Sequence, residues 1–116
     1  MTKGLTLGFR AEEFYRRVSE GKFTDSDGNS LDAELGIEKI LEELQLTKKS
    51  GKRVFIIGNG GSAAVASHTV TDFLNKGKLS ASTLHEPALL TCMTNDYGYE
   101  EAFTRILSTV AGKGDV

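Results

Sequence analysis

Between Val54 and His68 the chain reads VFIIGNGGSAAVASH. A short apolar, β-branched run (Val54–Ile57) meets a turn with three glycines, and an alanine-rich stretch follows. The run is short and ends in glycines, so it reads as a buried parallel strand. Ser62–Leu74 reads as a helix with Ala66, Val70, Phe73 and Leu74 as its apolar stripe, and NKGK ends it. A strand feeding a helix through glycines has two readings. In the first, the helix start offers unpaired N–H groups and partial positive charge, and the turn cradles the phosphate of a small molecule. Glycine lets the backbone approach such a ligand and adopt positive φ, and Ser62 caps the helix or donates its hydroxyl. In the second, the glycines only make a tight turn with close helix–strand packing. The stretch is not G-x-G-x-x-G, because Ala63 and Ala64 follow Gly61, and no G-K-[ST] completes a P-loop. NAD and ATP are therefore not expected.

The remaining pattern surrounds this corner with α/β elements. Residues 11–19 read as a short helix with Phe14, Tyr15 and Val18 on one side. TDSDGNS (24–30) is a turn cluster. Its Asp25, Asp27 and Asn29 are reminiscent of a calcium loop, but glycine stands fourth instead of sixth, and the twelfth position is Gly36 where a glutamate is required. A solvated turn that starts a helix is the expectation there. Residues 31–49 read as an amphipathic helix with Leu31, Leu35, Ile40, Leu41 and Leu44 at helical spacing. LSASTL (79–84) is a second strand, and Pro87 opens a short helix to about Met93. TNDYG is a turn. Tyr99–Val110 is a helix burying Ala102, Phe103, Ile106, Leu107 and Val110, and AGKGDV turns toward a further strand. This succession predicts an α/β fold with a parallel sheet.

At 116 residues the chain has room for one small domain. A net charge of −2 gives no electrostatic reason to expect nucleic acid. The basic cluster Lys48, Lys49, Lys52 and Arg53 stands where a helix ends, and is expected to complement its C-terminal dipole. Cys92 is the one cysteine, so no internal disulfide forms and a reduced compartment fits. Neither a signal core nor an apolar run near the roughly 20 residues of a membrane helix is present, which predicts a cytoplasmic protein without membrane partners.

Two further features carry chemistry. His68 and Asp72 are four apart and share a helix face distinct from that of Phe73 and Leu74. Such a pair either binds a divalent metal or acts as acid and base, or else is a surface histidine beside a surface aspartate. Asn95 and Asp96 either form the turn and cap the next helix, or hydrogen-bond sugar hydroxyls.

Taken in order and spacing, GNGGSAAVASH, ND-G-EE-F and GKGDV resemble the sugar isomerase (SIS) domain, and within it the phosphoheptose, or sedoheptulose 7-phosphate, isomerase type. The resemblance covers about residues 35–116 and implies a parallel α/β SIS sandwich of Rossmann-like, flavodoxin-like kind. Residues 1–30 would then be an N-terminal helical segment, and 31–116 the N-terminal part of the domain. It further implies a homodimer or homotetramer with sites at subunit interfaces, and isomerisation of sedoheptulose 7-phosphate to a heptose 7-phosphate through an enediol, often with zinc. Asn59, Gly60 and Gly61 would contact substrate with Ser62 near the phosphate, and Asn95 and Asp96 would contact the sugar. His68 would be a metal ligand, and Asp72 stands where the family has a glutamate that ligates metal and acts as base. The family's serine-rich phosphate loop, second acid/base histidine and further metal ligand come later in its pattern than Val116. The expectation is therefore a domain incomplete at its C-terminus, with an open sheet edge and low stability as a lone monomer. Asp72 is one methylene shorter than glutamate, and proton transfer needs heavy atoms within about 2.6–3.2 Å. That departure keeps a non-catalytic SIS module, binding a phosphosugar or a protein, as the alternative to an isomerase. A chain that only oligomerises is a third reading.

Overall fold

A computed structural model describes residues 6–116, so Met1–Leu5 of the N-terminal segment lie outside the described residues. The described chain is α/β, with five α-helices and two small sheets. It divides into two compact units, Met1–Glu42 and Glu43–Val116.

In the first unit, helix α1 (Leu7–Ser19) starts at Thr6, whose hydroxyl accepts the Phe9 N–H at 3.3 Å. Three Arg–Glu pairs, Arg10–Glu13, Arg17–Glu13 and Arg16–Glu20, run along its surface. Exposed pairs of this kind stabilise a helix by only a few tenths of a kcal/mol each, ~0.3–0.5. Leu7, Phe14, Tyr15 and Val18 are all largely exposed. Strands β1 (Phe23–Thr24) and β2 (Ser30–Leu31) then pair antiparallel, with Phe23 opposite Leu31. The turn TDSDGNS closes this hairpin and does not itself start a helix. The Asp25 carboxylate accepts the N–H groups of Asp27 (3.0 Å) and Asn29 (2.8 Å) and the Asn29 side-chain amide (3.1 Å). Those donors, the Asn29 side chain first, hold Asp25 below the usual carboxylate range. Its oxygens are thus engaged by amide donors, as an Asx turn requires. Helix α2 (Ala33–Lys49) begins two residues after β2, with the Asp32 carboxylate accepting the Leu35 N–H at 2.9 Å. Gly36 lies in its first turns because a Cβ there would stand 2.4 Å from the Phe23 ring. The unit boundary falls within this helix, after Glu42.

The second unit is built on a parallel pair. Strand β3 (Val54–Phe55) pairs with β4 (Ala81–Ser82), Val54 opposite Ala81 and Phe55 opposite Ser82. Both strands are shorter than the stretches 54–57 and 79–84 from which they are expected. On the other side of β3, Val116 donates to the Arg53 carbonyl (2.9 Å) and accepts the Phe55 N–H (2.7 Å). AGKGDV therefore does run in beside β3, bracketing Val54 as a parallel neighbour does. Helix α3 (Gly61–Asp72) follows β3 and passes into a π-helical turn, Phe73–Gly77, which closes at Lys78 with φ 49°. Val54, Leu79 and Ala81 form the buried core, and Leu44, Ile56, Val70 and Phe73 pack half-buried on it. Leu74, expected in the same stripe, is exposed because the π turn rotates it out of phase with Val70. Helices α4 (Pro87–Tyr97) and α5 (Tyr99–Val110) complete the unit. Pro87 stands in the first turn of α4, and the Glu86 carboxylate caps it by accepting the Leu89 N–H at 2.7 Å. TNDYG is not a turn: α4 continues through Asn95 and Asp96 to Tyr97, and only Gly98 (φ 89°) breaks the chain before α5. Ala102 and Ile106 are the buried face of α5.

The basic cluster divides its work. Lys48 and Lys49 lie in the last turn of α2, and Lys48 Nζ donates to the Gly77 carbonyl at 2.7 Å. Arg53 instead holds the chain after α5. Its backbone N–H and its guanidinium reach the two oxygens of Asp115 at 2.9 and 3.0 Å, and the guanidinium also donates to the Val110 carbonyl and lies over the Phe55 ring. Asp115 also accepts the Gly112 N–H at 2.9 Å. No helix among the described residues is long and apolar enough to cross a membrane.

The Gly112 and Arg53 amides, followed by the Arg53 guanidinium, hold the Asp115 carboxyl below its ordinary value. A carboxyl depressed on folding adds stability at pH above its unfolded value, near 4, and that stability is lost as pH falls through the folded value. Asp115→Asn should therefore lower the melting temperature at neutral pH and flatten its fall below about pH 4. Circular-dichroism melts of both proteins across pH 2–7 measure this, and parallel curves would contradict a stabilising role for the Asp115 carboxylate.

Candidate functional site

The parallel pairing of β3 and β4 brings their carboxyl ends side by side, where ligands gather in open α/β sheets. From β3 come Gly58, Asn59 and Gly60, and directly after β4 comes His85. With Ala63 of α3, Pro87, Leu90 and Thr91 of α4, and Tyr99 of α5, they line an open cleft of about 360 Å³.

The three glycines of the turn are there for different reasons. A Cβ on Gly58 would stand 2.6 Å from the carbonyl carbon and oxygen of Ser62 and 2.9 Å from the Ala63 nitrogen, so Gly58 lets the strand end touch the helix. Gly60 has φ 59° and ψ −122°, a backbone region that only glycine enters readily. Gly61 is the first residue of α3 and has a negative φ, and a Cβ on it would meet open space. Packing and conformation thus account for Gly58 and Gly60, whereas neither explains Gly61. Ser62 does not cap the helix. The cap position is Gly60, with no side-chain hydrogen bond, and the first turn is closed by Ser62 N–H to the Asn59 carbonyl (3.1 Å) and Ala63 N–H to the Gly60 carbonyl (3.0 Å). A helix start left without a side-chain cap keeps its partial positive charge available to an anion.

Asn59 and Gly60 lie in the cleft, and Gly61 and Ser62 sit exposed beside it at the helix start. His68 and Asp72 lie farther along α3 and do not line the cleft. Their Nε2 and Oδ2 are 3.6 Å apart, with His68 80% and Asp72 47% exposed, and Lys76 Nζ stands 4.0 Å from the other Asp72 oxygen. Among the described residues no third histidine, cysteine or carboxylate joins them as a metal-binding group. Asn95 and Asp96 are exposed on α4, one helical turn beyond Thr91 of the cleft wall, with the Asn95 amide donating to Asp96 at 3.2 Å. Cys92, free and exposed, lies 3.6 Å from the other Asp96 oxygen.

Sequence reasoning passed over His85, Thr91 and Tyr99. His85 carried a usable signal: it is the first strongly polar side chain after a predicted strand, at the edge where α/β ligands bind. Its Nε2 accepts the Gly58 N–H at 3.0 Å. Thr91 and Tyr99 carry no such signal, because nothing local in the sequence distinguishes them from other polar residues of a helix surface.

No family model matches the chain. Its sequence is 36% identical over 104 residues to the phosphoheptose isomerase of Geotalea daltonii, covering 84% of this chain and 53% of that protein. It is 35% identical over 96 residues to that of Sodalis glossinidius, covering 76% and 50%. Its fold matches the solved phosphoheptose isomerase of Neisseria gonorrhoeae with a TM-score of 0.60 at 26% identity, over 95% of this chain and 58% of that one. The chain is a partial relative of the phosphoheptose isomerases. It spans about half the length of the curated relatives it matches. The phosphoheptose isomerase resemblance read from GNGGSAAVASH and its two companion stretches is thereby established from independent comparisons, and the cleft lies on the first of those stretches.

The unequal glycines can be tested directly. Gly58→Ala should destabilise the fold by about 1–3 kcal/mol, since the new methyl meets backbone. Gly61→Ala should leave stability within about 0.5 kcal/mol, yet weaken binding of any ligand that approaches the helix start closely. Urea denaturation and titration with sedoheptulose 7-phosphate measure the two effects. Gly61→Ala binding as well as the wild type would leave tight turning as the whole purpose of the motif.

Proposed function

We propose that this chain is the phosphosugar-binding part of a phosphoheptose isomerase, acting in the interconversion of sedoheptulose 7-phosphate and a heptose 7-phosphate. The observation that carries the reading is Gly61: a glycine that neither packing nor conformation requires, at an uncapped helix start beside a cleft, in a chain related to named phosphoheptose isomerases. In this reading residues 31–116 are the N-terminal part of a SIS sandwich, and residues 1–30 a preceding helical segment. The substrate phosphate meets the N–H groups at the start of α3, near Ser62. Asn59 hydrogen-bonds the sugar in the cleft, and Asn95 and Asp96 extend the same wall toward its hydroxyls.

Aldose–ketose isomerisation moves a proton between adjacent carbons through an enediol. The base removes the proton from the carbon beside the carbonyl, and the proton returns to its neighbour as the carbonyl shifts. Asp72 is the carboxylate proposed for this, oriented by His68 on one side and Lys76 on the other. The separation of His68 Nε2 and Asp72 Oδ2, 3.6 Å, is near the ~3.3 Å between two ligands of a tetrahedral zinc ion. These two side chains would hold zinc in two of its four positions, the others falling to groups outside this pair. A zinc ion held there would supply Lewis acidity toward the sugar's oxygens. The reading includes a cytoplasmic homodimer or homotetramer; the cytoplasmic setting suits a phosphorylated sugar, a charged metabolite that does not cross a bilayer.

Phosphosugar binding without turnover is the second reading. It is favoured by Asp72 in place of the family's glutamate and by the absence of His68 and Asp72 from the cleft lining. Incubation with sedoheptulose 7-phosphate, followed by ¹³C NMR of the sugar and metal analysis of the protein, tests both. For the isomerase, Asp72→Glu should preserve or raise turnover, and His68→Ala should lose zinc along with turnover. Binding with no turnover in wild type and Asp72→Glu alike would leave the binding module. No binding in any of them would overturn both.

A further inference from the structure

His85, like Thr91 and Tyr99, is a polar side chain of the cleft that the proposed reaction leaves without a task, and it alone among them bonds to the glycine turn. It follows the carboxyl end of β4, and its Nε2 accepts the Gly58 N–H at 3.0 Å. A ring nitrogen that accepts from an N–H carries no proton, so the neutral imidazole has its hydrogen on Nδ1. Nδ1 is buried and has no hydrogen-bond partner among the described residues. The ring stands edge-on to Phe103 at 5.8 Å and 72°, and Phe103 stands edge-on to Tyr99 at 5.9 Å and 73°.

A buried donor without a partner is unfavourable. Packing alone does not call for one here, since a phenyl ring would fill similar space against Phe103 with no polar atom to satisfy. What an imidazole adds is the acceptor for Gly58. That acceptor acts where the chain most needs restraint. Gly58, Gly60 and Gly61 have no side chains to hold them, and glycine peptides sample more conformations than any others. Asn59, the one residue of the turn with a side chain, is exposed. The first N–H of the turn is the point from which the whole segment can be fixed before a ligand arrives, and fixing it beforehand reduces the ordering cost of binding.

We infer that His85 is a positioning residue, which in its Nδ1–H tautomer accepts the Gly58 N–H and so fixes the glycine turn in the form that receives the phosphosugar. The receiving role rests on the isomerase reading above, whereas the clamp itself does not. The test has an arm for each. In ¹⁵N NMR of the unmodified chain, His85 should show the proton on Nδ1, and the Gly58 amide should be protected from hydrogen exchange. In His85→Phe, which keeps the ring, Gly58 exchange should quicken about tenfold and sedoheptulose 7-phosphate should bind about tenfold more weakly. In His85→Gln, whose side-chain oxygen can accept the same N–H, both should move back toward the wild type. A proton on Nε2 in the wild type, or unchanged Gly58 exchange in His85→Phe, overturns the clamp. A released Gly58 with unchanged ligand affinity overturns the positioning role. Should the wild type bind no sedoheptulose 7-phosphate, the isomerase reading and the receiving role fall together, and the NMR arm still decides the clamp.

Discussion

The candidate site depends on the parallel pairing of β3 with β4. An antiparallel pair would put the carboxyl end of one strand beside the amino end of the other. Parallel pairing instead sets Gly58–Gly60 and His85 at the same edge, although 24 residues lie between Gly60 and His85. The pairing itself is short: Val54 with Ala81, Phe55 with Ser82, and bonds from Val54 to Ser80 and from Ile56 to Ser82. So short a ladder persists because its side chains are the core. Val54, Leu79 and Ala81 are buried together as one cluster, and full burial of a Val or Leu side chain contributes about 1.5–3 kcal/mol.

The ladder is also braced from its other side. Arg53 precedes β3 and ties it to Asp115, and Val116 bonds on both sides of Val54. One arginine here serves a carboxylate, a helix-terminal carbonyl and an aromatic face, three contacts that its planar, always-charged guanidinium can make together. Lysine at this position would keep the charge and lose the fork. Placing β3 between β4 and the Val116 segment means that the glycine turn issues from an interior strand, held on both sides, and not from a fraying edge.

The sequence made the order of elements legible because each signal was local. Val54–Ile57 is too short and too β-branched for a helix, Pro87 marks a helix start, and the apolar spacing of Tyr99–Val110 matches the buried Ala102 and Ile106. The errors arose where local chemistry was ambiguous. Asn95, Asp96 and Gly98 resemble a turn, yet one glycine with positive φ suffices to part α4 from α5, so Asn95 and Asp96 stay helical. Ser62 looks like a cap one residue after Gly61, but the positive φ of Gly60 sets the cap two residues earlier. Leu74 fits a 3.6-residue stripe until a π turn, which has no sequence signature, changes the phase. The family was legible from three motifs, whereas the His85–Gly58 contact was not, since it joins residues 27 apart through a fold the motifs do not describe.

Helix α3 is where these threads meet. Its first turn is exposed and free of a side-chain cap, and its partial positive charge serves an anion within about one turn. His68 and Asp72 begin two turns farther on, beyond the reach of that field and outside the cleft. Under the isomerase proposal the two environments would have separate tasks, the phosphate at the helix start and proton transfer at the pair, and a helix spaces them by its rise of 1.5 Å per residue. Seven residues from Gly61 to His68 correspond to about 10 Å along the axis, so the helix dipole that favours an anion at Gly61 does nothing for the His68–Asp72 pair, and each end of α3 has to be judged by its own chemistry.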